Sequence, residues 1–400
     1  MAKILFANIP AHGHVNPTLP LVSAFVEAGH SVDYLITEDF RKKVEYCGAK
    51  LITYYQPVTI DLKNMTEGLK HIRRLIPEMN SRMKELSPQY DVIIAGGMNP
   101  SIEKLQKEIS TPIIFCSAIF FQNDYTIRVL FTKARGIPEW IAFIAQHPFL
   151  RKAFSRVVAS LILGTPIDDV KVLFSPQSSI LNIAFTSTYF QPEAETFNDK
   201  CLFIGPTPTI AVKDDSFPIE RLEQSSKKII YATLGTIFNT WIAFFKNVIE
   251  AFKDSDYLVV MSTGNKERLR QIGDIPENFI VSDFVPQAEV LKHADLFIAH
   301  GSMGSISDGM YLGIPTILVP LGADQFFNAY RLQDLGAGKV LKKVEVTPEN
   351  LKREAETVLG NNLYKQQVQK VQESFQTAGG PKLAVREVEK ILEKKKVARI

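Results

Sequence analysis

The chain has 400 residues, 46% of them hydrophobic, with 46 Lys and Arg against 43 Asp and Glu and a formal net charge of +3. That length exceeds what one hydrophobic core usually organises, so two domains of about 200 residues each are expected. The charge is too mild to imply a nucleic-acid partner, and no basic stripe interleaved with aromatics is present.

The three cysteines, Cys47, Cys116 and Cys201, are widely spaced, which argues against a zinc site or a disulfide framework. The apolar run after Lys3 stops at Asn8 and Pro10, too short for a signal-peptide core, and no stretch approaches about 18 apolar residues. A cytoplasmic protein without stable membrane association is expected.

Lys3 to Ile9 is mostly apolar, as in a central parallel strand buried on both faces. It ends in Pro10-Ala11-His12-Gly13-His14-Val15-Asn16-Pro17, where Asn16 before Pro17 predicts a helix opening with an N-cap side chain and a proline at the first position. Leu19, Val22 and Val26 recur at helical spacing, Gly29 ends the helix and Ser31 to Ile36 is the next strand, which makes a βαβ unit. His12 and His14 then stand on a loop at the C-terminal edge of the first strand, where open α/β sheets bind ligands. An imidazole there suits a general base for a hydroxyl; the other reading is that both histidines only pack or cap the loop.

Leu51 to Tyr54 predicts a strand, followed by a polar helical stretch to about Leu86 and a strand from Asp91 to Ala95 that runs into Gly96-Gly97-Met98-Asn99. After a short strand from Pro112 to Cys116 the composition changes. From Phe120 to Leu163 aromatic and aliphatic residues dominate, among them Phe120, Phe121, Tyr125, Phe131, Trp140, Phe143, Phe149 and Phe154, and helices are expected. Ile180 to Phe185 and Cys201 to Ile204 complete the first sheet. Gly205 to Lys228, with Pro206, Pro208, Pro218 and no apolar periodicity, reads as a linker. The expected domains are residues 1–208 and 226–380, with 381–400 a C-terminal helix.

The second half restarts with Ile229 to Thr233 and the turn Leu234-Gly235-Thr236, then strands from Tyr257 to Ser262 and Phe279 to Ser282. Next come Phe284-Val285-Pro286-Gln287, the apolar run Leu296-Phe297-Ile298-Ala299, the turn His300-Gly301-Ser302-Met303-Gly304-Ser305, a helix, a second apolar run and Asp324-Gln325. A strand running into Gly and Ser at a helix start leaves backbone N–H groups unpaired, and such an end attracts an anion. Gly301 and Gly304 let a phosphate approach, Ser302 and Ser305 add hydroxyls, and His300 adds an imidazole. Asp308, roughly one helical turn beyond Gly304, can accept hydrogen bonds from ribose hydroxyls. Such turns are common in α/β proteins without any ligand; with these neighbours the segment reads as a nucleotide seat. No GxGxxG follows a predicted strand, which argues against a nicotinamide oxidoreductase.

The run from Phe284 to Gln325 resembles the sugar-donor signature of the family 1 UDP-dependent glycosyltransferases, closest to the bacterial macrolide and flavonoid enzymes. Gly13-His14-Val15-Asn16-Pro17 is similar to their N-terminal Gly-His-x-x-Pro pattern. The resemblance implies the GT-B architecture, an α/β fold of two facing Rossmann-like domains with parallel sheets and an interdomain cleft. The acceptor would lie in the N-terminal domain, walled by the aromatic stretch, and the UDP-sugar in the C-terminal one; residues 381–400 would pack back on the N-terminal domain.

By the same resemblance Phe284, with Val285, Pro286 and Gln287, faces the uracil. His300, Ser302, Gly304, Ser305 and Thr236 take the diphosphate, with Gly13 counted among the sugar-donor contacts. Asp308 takes the ribose and Asp324-Gln325 the hydroxyls of the transferred sugar. His14 deprotonates the acceptor, with His12 in reserve. Ser302 stands where Gly is usual, Gly304 where Asn is frequent and Asp308 where Glu is usual. The family's aspartate, which orients the catalytic histidine from just after the Asp91 strand, is replaced by Gly96.

The implied function is inverting transfer of a hexose, glucose above all, from a UDP-sugar to a hydroxyl of a hydrophobic small molecule such as a flavonoid or macrolide, with no metal and no cofactor besides the UDP-sugar. Two alternatives stay open. One is a UDP-sugar-binding homologue whose catalysis is weak or lost through Gly96; the other is a lipid-directed transferase at a membrane surface.

Overall fold

The computed structural model describes the chain apart from residues 55–64, 98, 134–138, 164–168, 170–171, 173, 208–216, 236–239 and 398–400. The chain divides into two compact units, Met1–Thr207 with Thr377–Ile400, and Pro208–Gln376. Each is built on a parallel sheet. In the first, β1 (Lys3–Ala7), β2 (Ser31–Leu35), β3 (Lys50–Ile52), β4 (Val92–Gly96), β5 (Ile113–Ser117), β6 (Asn182–Ala184) and β7 (Cys201–Phe203) stand in the order β3-β2-β1-β4-β5-β6-β7. In the second, β8 (Lys228–Thr233), β9 (Tyr257–Ser262), β10 (Phe279–Ser282), β11 (Leu296–Ala299), β12 (Thr316–Leu318) and β13 (Gly338–Val340) stand in the order β10-β9-β8-β11-β12-β13. These are two Rossmann-like sheets of the GT-B type.

A central parallel strand has to bury both of its faces. In β1, Ile4 and Phe6 enter the core on one face of the sheet, and Leu5 and Ala7 enter the core on the other. β4 repeats the division, with Val92 and Ile94 beside Ile4, and Ile93 and Ala95 beside Leu5. Helix Leu19–Glu27 covers the first face with Leu21, Val22 and Phe25, and helix Gly380–Val397 covers it with Ala384, Val385, Val388 and Leu392. Burying a Val, Leu or Phe side chain contributes about 1.5–3 kcal/mol, so the last helix is part of the first unit's core.

A polar clasp supplements that packing. The Ala2 N–H donates to His30 Nδ1 at 3.2 Å, which leaves Nε2 as the protonated nitrogen facing Glu389 Oε1 at 3.1 Å. In the second unit, Phe244, Phe245, Val248 and Phe252 of helix Ile242–Phe252 join Leu351, Ala355 and Val358 of helix Pro348–Gly360 over Ile230, Val259 and Ile298.

Several expectations are corrected. His12–Val15 is a helical turn, not a loop, and Asn16–Thr18 continues it as a tighter turn before the helix that starts at Leu19. Asn16 therefore caps nothing with its side chain, which instead accepts from Lys43 Nζ at 3.1 Å. The stretch expected to be a plain linker contains the helical turn Glu220–Glu223, anchored by buried Phe217 and Leu222; residues 208–216 lie outside the described residues. Within the aromatic stretch, Phe120 and Phe121 are buried, whereas Trp140, Phe143 and Phe149 are exposed on helices Glu139–Gln146 and Pro148–Leu163.

Candidate active site

Doubly wound sheets bind ligands where the strand order reverses. In the second unit the reversal lies between β8 and β11, and the chain leaves these strands through Leu234-Gly235 and His300-Gly301. His300 is only 7% exposed and lies against the backbone of Gly235, so that a Cβ at 235 would stand 2.6 Å from His300 Cε1. Its Nδ1 is buried and finds no hydrogen-bond partner among the described residues. Burial lowers its pKa to about 4, so the ring is neutral at pH 7.

Gly301, at φ +90°, turns the chain out of β11 into helix Met303–Tyr311. Ser302 caps this helix: its Oγ accepts from the Ser305 N–H at 3.4 Å and donates to Ser305 Oγ at 3.1 Å. The two hydroxyls thus serve each other. Gly304 is exposed in the first turn, and a Cβ there would meet nothing within 4 Å. An anion has room to approach at this point.

Asp324 heads helix Gln325–Asp334. Burial raises its pKa, opposed by hydrogen bonds from Asn328, from its own backbone N–H and from the Met303 N–H. Asn328 Nδ2 donates to Asp324 Oδ2 at 2.8 Å and to the Gly301 carbonyl at 3.2 Å, while its Oδ1 finds no partner among the described residues. Asn328 therefore joins the strand turn to Asp324 and the polar pair it forms with Gln325. It was missed in sequence, although its place four residues after Asp324 in a helix was a usable signal. Ala323 holds φ +52°, a left-handed conformation uncommon for a residue with a Cβ, where the chain enters this pair. Gln325 Oε1 accepts from the N–H groups of Leu321 at 2.8 Å and Gly322 at 3.2 Å, so that end shapes the loop.

Phe284 is 56% exposed and free to offer a ring face, while the next residue, Val285, is buried. Gln287 Nε2 donates to Asp308 Oδ2 at 2.7 Å, which makes these two residues one polar pair. Thr236 lies outside the described residues.

In the first unit the strand order reverses between β1 and β4. His14 is half-buried in the turn after β1, and Asn8 Nδ2 holds its carbonyl at 3.0 Å. Its ring stacks on Phe174, centroids 6.0 Å apart and planes within 15°. Nδ1 is buried without a partner among the described residues, and burial alone lowers the pKa to about 4. His12, by contrast, is exposed, with its ring 5.0 Å from Phe40 and Nδ1 3.5 Å from Lys43 Nζ; burial, then Lys43, lowers its pKa. Gly13, between them, is exposed and has open space around it.

Among the described residues no carboxylate bonds His14 Nδ1 in place of the aspartate that the resemblance implies. Gly96 ends β4, and a Cβ there would lie 2.9 Å from Cys116 Sγ and 3.1 Å from Asn8 Nδ2. Asn99 is buried and committed: it exchanges amide hydrogen bonds with Asn80 at 2.6 and 3.4 Å and accepts from the Ser101 N–H at 3.0 Å.

The C-terminal domain of the erythromycin biosynthesis protein CIII-like family matches residues 246–392. Over 94% of each chain, the sequence is 33% identical to the uncharacterized UDP-glucosyltransferase YdhE of Bacillus subtilis. The chain belongs to the bacterial family 1 glycosyltransferases. It is also 31% identical to the NDP-glycosyltransferase YjiC of Bacillus subtilis, over 98% of each chain. The crystal structure of CalG4, the calicheamicin glycosyltransferase, superposes with a TM-score of 0.77 at 26% identity, covering 98% of this chain and 99% of that one.

Two outcomes follow for this glycosyltransferase from the His300 environment. Gly235→Ala is expected to destabilise it by about 2–4 kcal/mol, since a Cβ would combine left-handed strain with a clash against the imidazole; the midpoint of urea unfolding measures this, and a shift below that of Gly304→Ala would refute it. The second outcome concerns acid. Above the ordinary histidine value of 6.5, His300 is neutral in both folded and unfolded chains, and its burial carries no proton-linked penalty. Between 6.5 and about 4 only the unfolded chain takes up the proton, so stability falls by about 3 kcal/mol across that window and the loss levels off below it. His300→Gln should flatten this part of the pH dependence of unfolding; an unchanged slope would refute the assignment.

Proposed function

We propose that this glycosyltransferase moves a hexose, glucose being the first choice, from a UDP-sugar to a hydroxyl of a hydrophobic small molecule such as a flavonoid or macrolide, with inversion at the anomeric carbon. The observation that carries the nucleotide half is the second unit's switch point, where the buried His300 Nδ1 has no partner among the described residues beside the open first turn of helix Met303–Tyr311. The relatives named UDP-glucosyltransferase and NDP-glycosyltransferase support that reading.

In the proposed reaction, His14 takes the acceptor proton as the acceptor oxygen attacks the anomeric carbon from the face opposite UDP. The bond from that carbon to the phosphate oxygen breaks, and UDP leaves with the electron pair. Its charge is met by helix N–H groups and by polar contacts from His300, Ser302, Ser305 and Thr236, so the reaction draws on no metal ion and no cofactor beyond the UDP-sugar. Phe284 offers its ring to the uracil with Val285 and Gln287 alongside, Asp308 takes the ribose, and Asp324 and Gln325 take the sugar hydroxyls; Gly13 and Gly304 leave space for the phosphates. The test is incubation with UDP-glucose, other UDP-sugars and a panel of polyphenol and macrolide acceptors. The expected product carries one added hexose; UDP release without transfer to any acceptor would sink the proposal.

A second reading, sugar-nucleotide binding with little catalysis, is favoured by one observation: no carboxylate meets His14 among the described residues. Binding of UDP by calorimetry, together with no product across the panel, would select it.

A further inference from the structure

If His14 is the base, something other than a carboxylate has to hold its ring. An imidazole on a short turn can rotate, and misplacing a catalytic group by about 1 Å can cost about 100-fold in rate. The usual orienting group is a carboxylate hydrogen-bonded to the far ring nitrogen. Here that nitrogen, Nδ1, is buried and unbonded among the described residues, and the β4 end is closed to a side chain by Cys116 and Asn8.

What the imidazole does have is a flat neighbour. Phe174 lies nearly parallel to it, 15° between planes at 6.0 Å between centroids. Phe174 is itself anchored: its carbonyl accepts from the Gln122 N–H at 3.4 Å, and the next residue's hydroxyl, Ser175 Oγ, donates to the Gln122 carbonyl at 3.1 Å. These bonds tie the segment to the stretch that follows β5. A ring held in this way offers the imidazole a parallel face against which its rotation is limited.

We infer that Phe174 is the positioning residue for His14, taking by stacking the orienting role that a carboxylate fills in the related enzymes. The inference rests on His14 being the base. It accounts for how the turn can hold a catalytic imidazole without an ionic partner. Among the described residues no charged group enters the lowering of its pKa, and Lys43 and Asp39, which act on His12, do not act on His14.

The test compares Phe174→Leu, which stays apolar but removes the flat ring and part of the cover over the imidazole, with Phe174→Tyr, which keeps a flat ring. Two readouts are used: kcat against pH for UDP-glucose and an accepted acceptor, and the titration of His14 followed by NMR of histidine-labelled protein. For Phe174→Leu, kcat should fall about 10- to 100-fold with the KM for UDP-glucose unchanged, and the His14 pKa should rise by at least about one unit. Phe174→Tyr should restore both. A Leu variant with wild-type kcat and an unmoved His14 titration overturns the inference and leaves the proposed reaction standing. Loss of kcat in both variants without any change in the His14 titration also overturns it, since that pattern marks a merely structural role. An inactive wild type combined with an unmoved titration overturns both readings.

Discussion

Replacing His14 by alanine is expected to lower kcat for hexose transfer by about 10²–10⁴-fold, the range for loss of a general base, while the affinity for UDP stays as it was. The two effects separate because His14 belongs to the first unit, and His300 and the capped helix belong to the second. The pH profile supplies the other half of the prediction. In the proposed reaction the neutral imidazole is the base, and it is the populated form above its pKa; since burial lowers that pKa to about 4, activity should stay level from pH 8 down to about 5 and fall only below that. A wild-type rate in His14→Ala, or an acid limb near the ordinary histidine value, would remove His14 from the mechanism.

The second large effect is expected at Gly96. Restoring the family's aspartate there, Gly96→Asp, looks from the sequence like a gain of function, because it would supply the missing orienting carboxylate. In the structure the outcome reverses. The Cβ alone would press on Cys116 Sγ at 2.9 Å, on Asn8 Nδ2 at 3.1 Å and on the Cys116 carbonyl at 3.3 Å, and the carboxylate would then have to leave a fully packed strand end. Overpacking and the burial of a charge together should destabilise the protein by about 3 kcal/mol or more, without raising turnover. Urea unfolding and steady-state rates on the same sample decide it. A variant as stable as wild type and faster than it would show that β4 yields easily, and that the histidine lacks only a carboxylate.

Much of the fold was legible because parallel strands buried on both faces leave continuous apolar runs. Tyr257–Ser262, Phe279–Ser282 and Leu296–Ala299 stand where those runs predict them. The turn after Leu296–Ala299 was legible for a related reason: the left-handed Gly301 and the capping Ser302 are a local backbone requirement, and such requirements are written in adjacent residues. What stayed hidden depends on contacts between distant parts of the chain. Asn16 before Pro17 looks like a helix start, yet the turn already begins at His12 and the side chain turns to Lys43, from another helix. Phe174 had no periodic pattern to mark it, since it stacks against a residue far away in sequence. Gln287 and Asp308 were each expected to meet the nucleotide, but not to bond each other.

The interleaving of the two units bears on biosynthesis. The core begun by Ile4, Phe6 and Phe25 is completed by Ala384, Val388 and Leu392, so the first unit stays unfinished until those late residues have left the ribosome. The second unit is encoded without interruption between Pro208 and Gln376 and can close earlier. During translation an incomplete apolar face therefore waits while the second unit closes, a vulnerable interval in which chaperones would find their substrate.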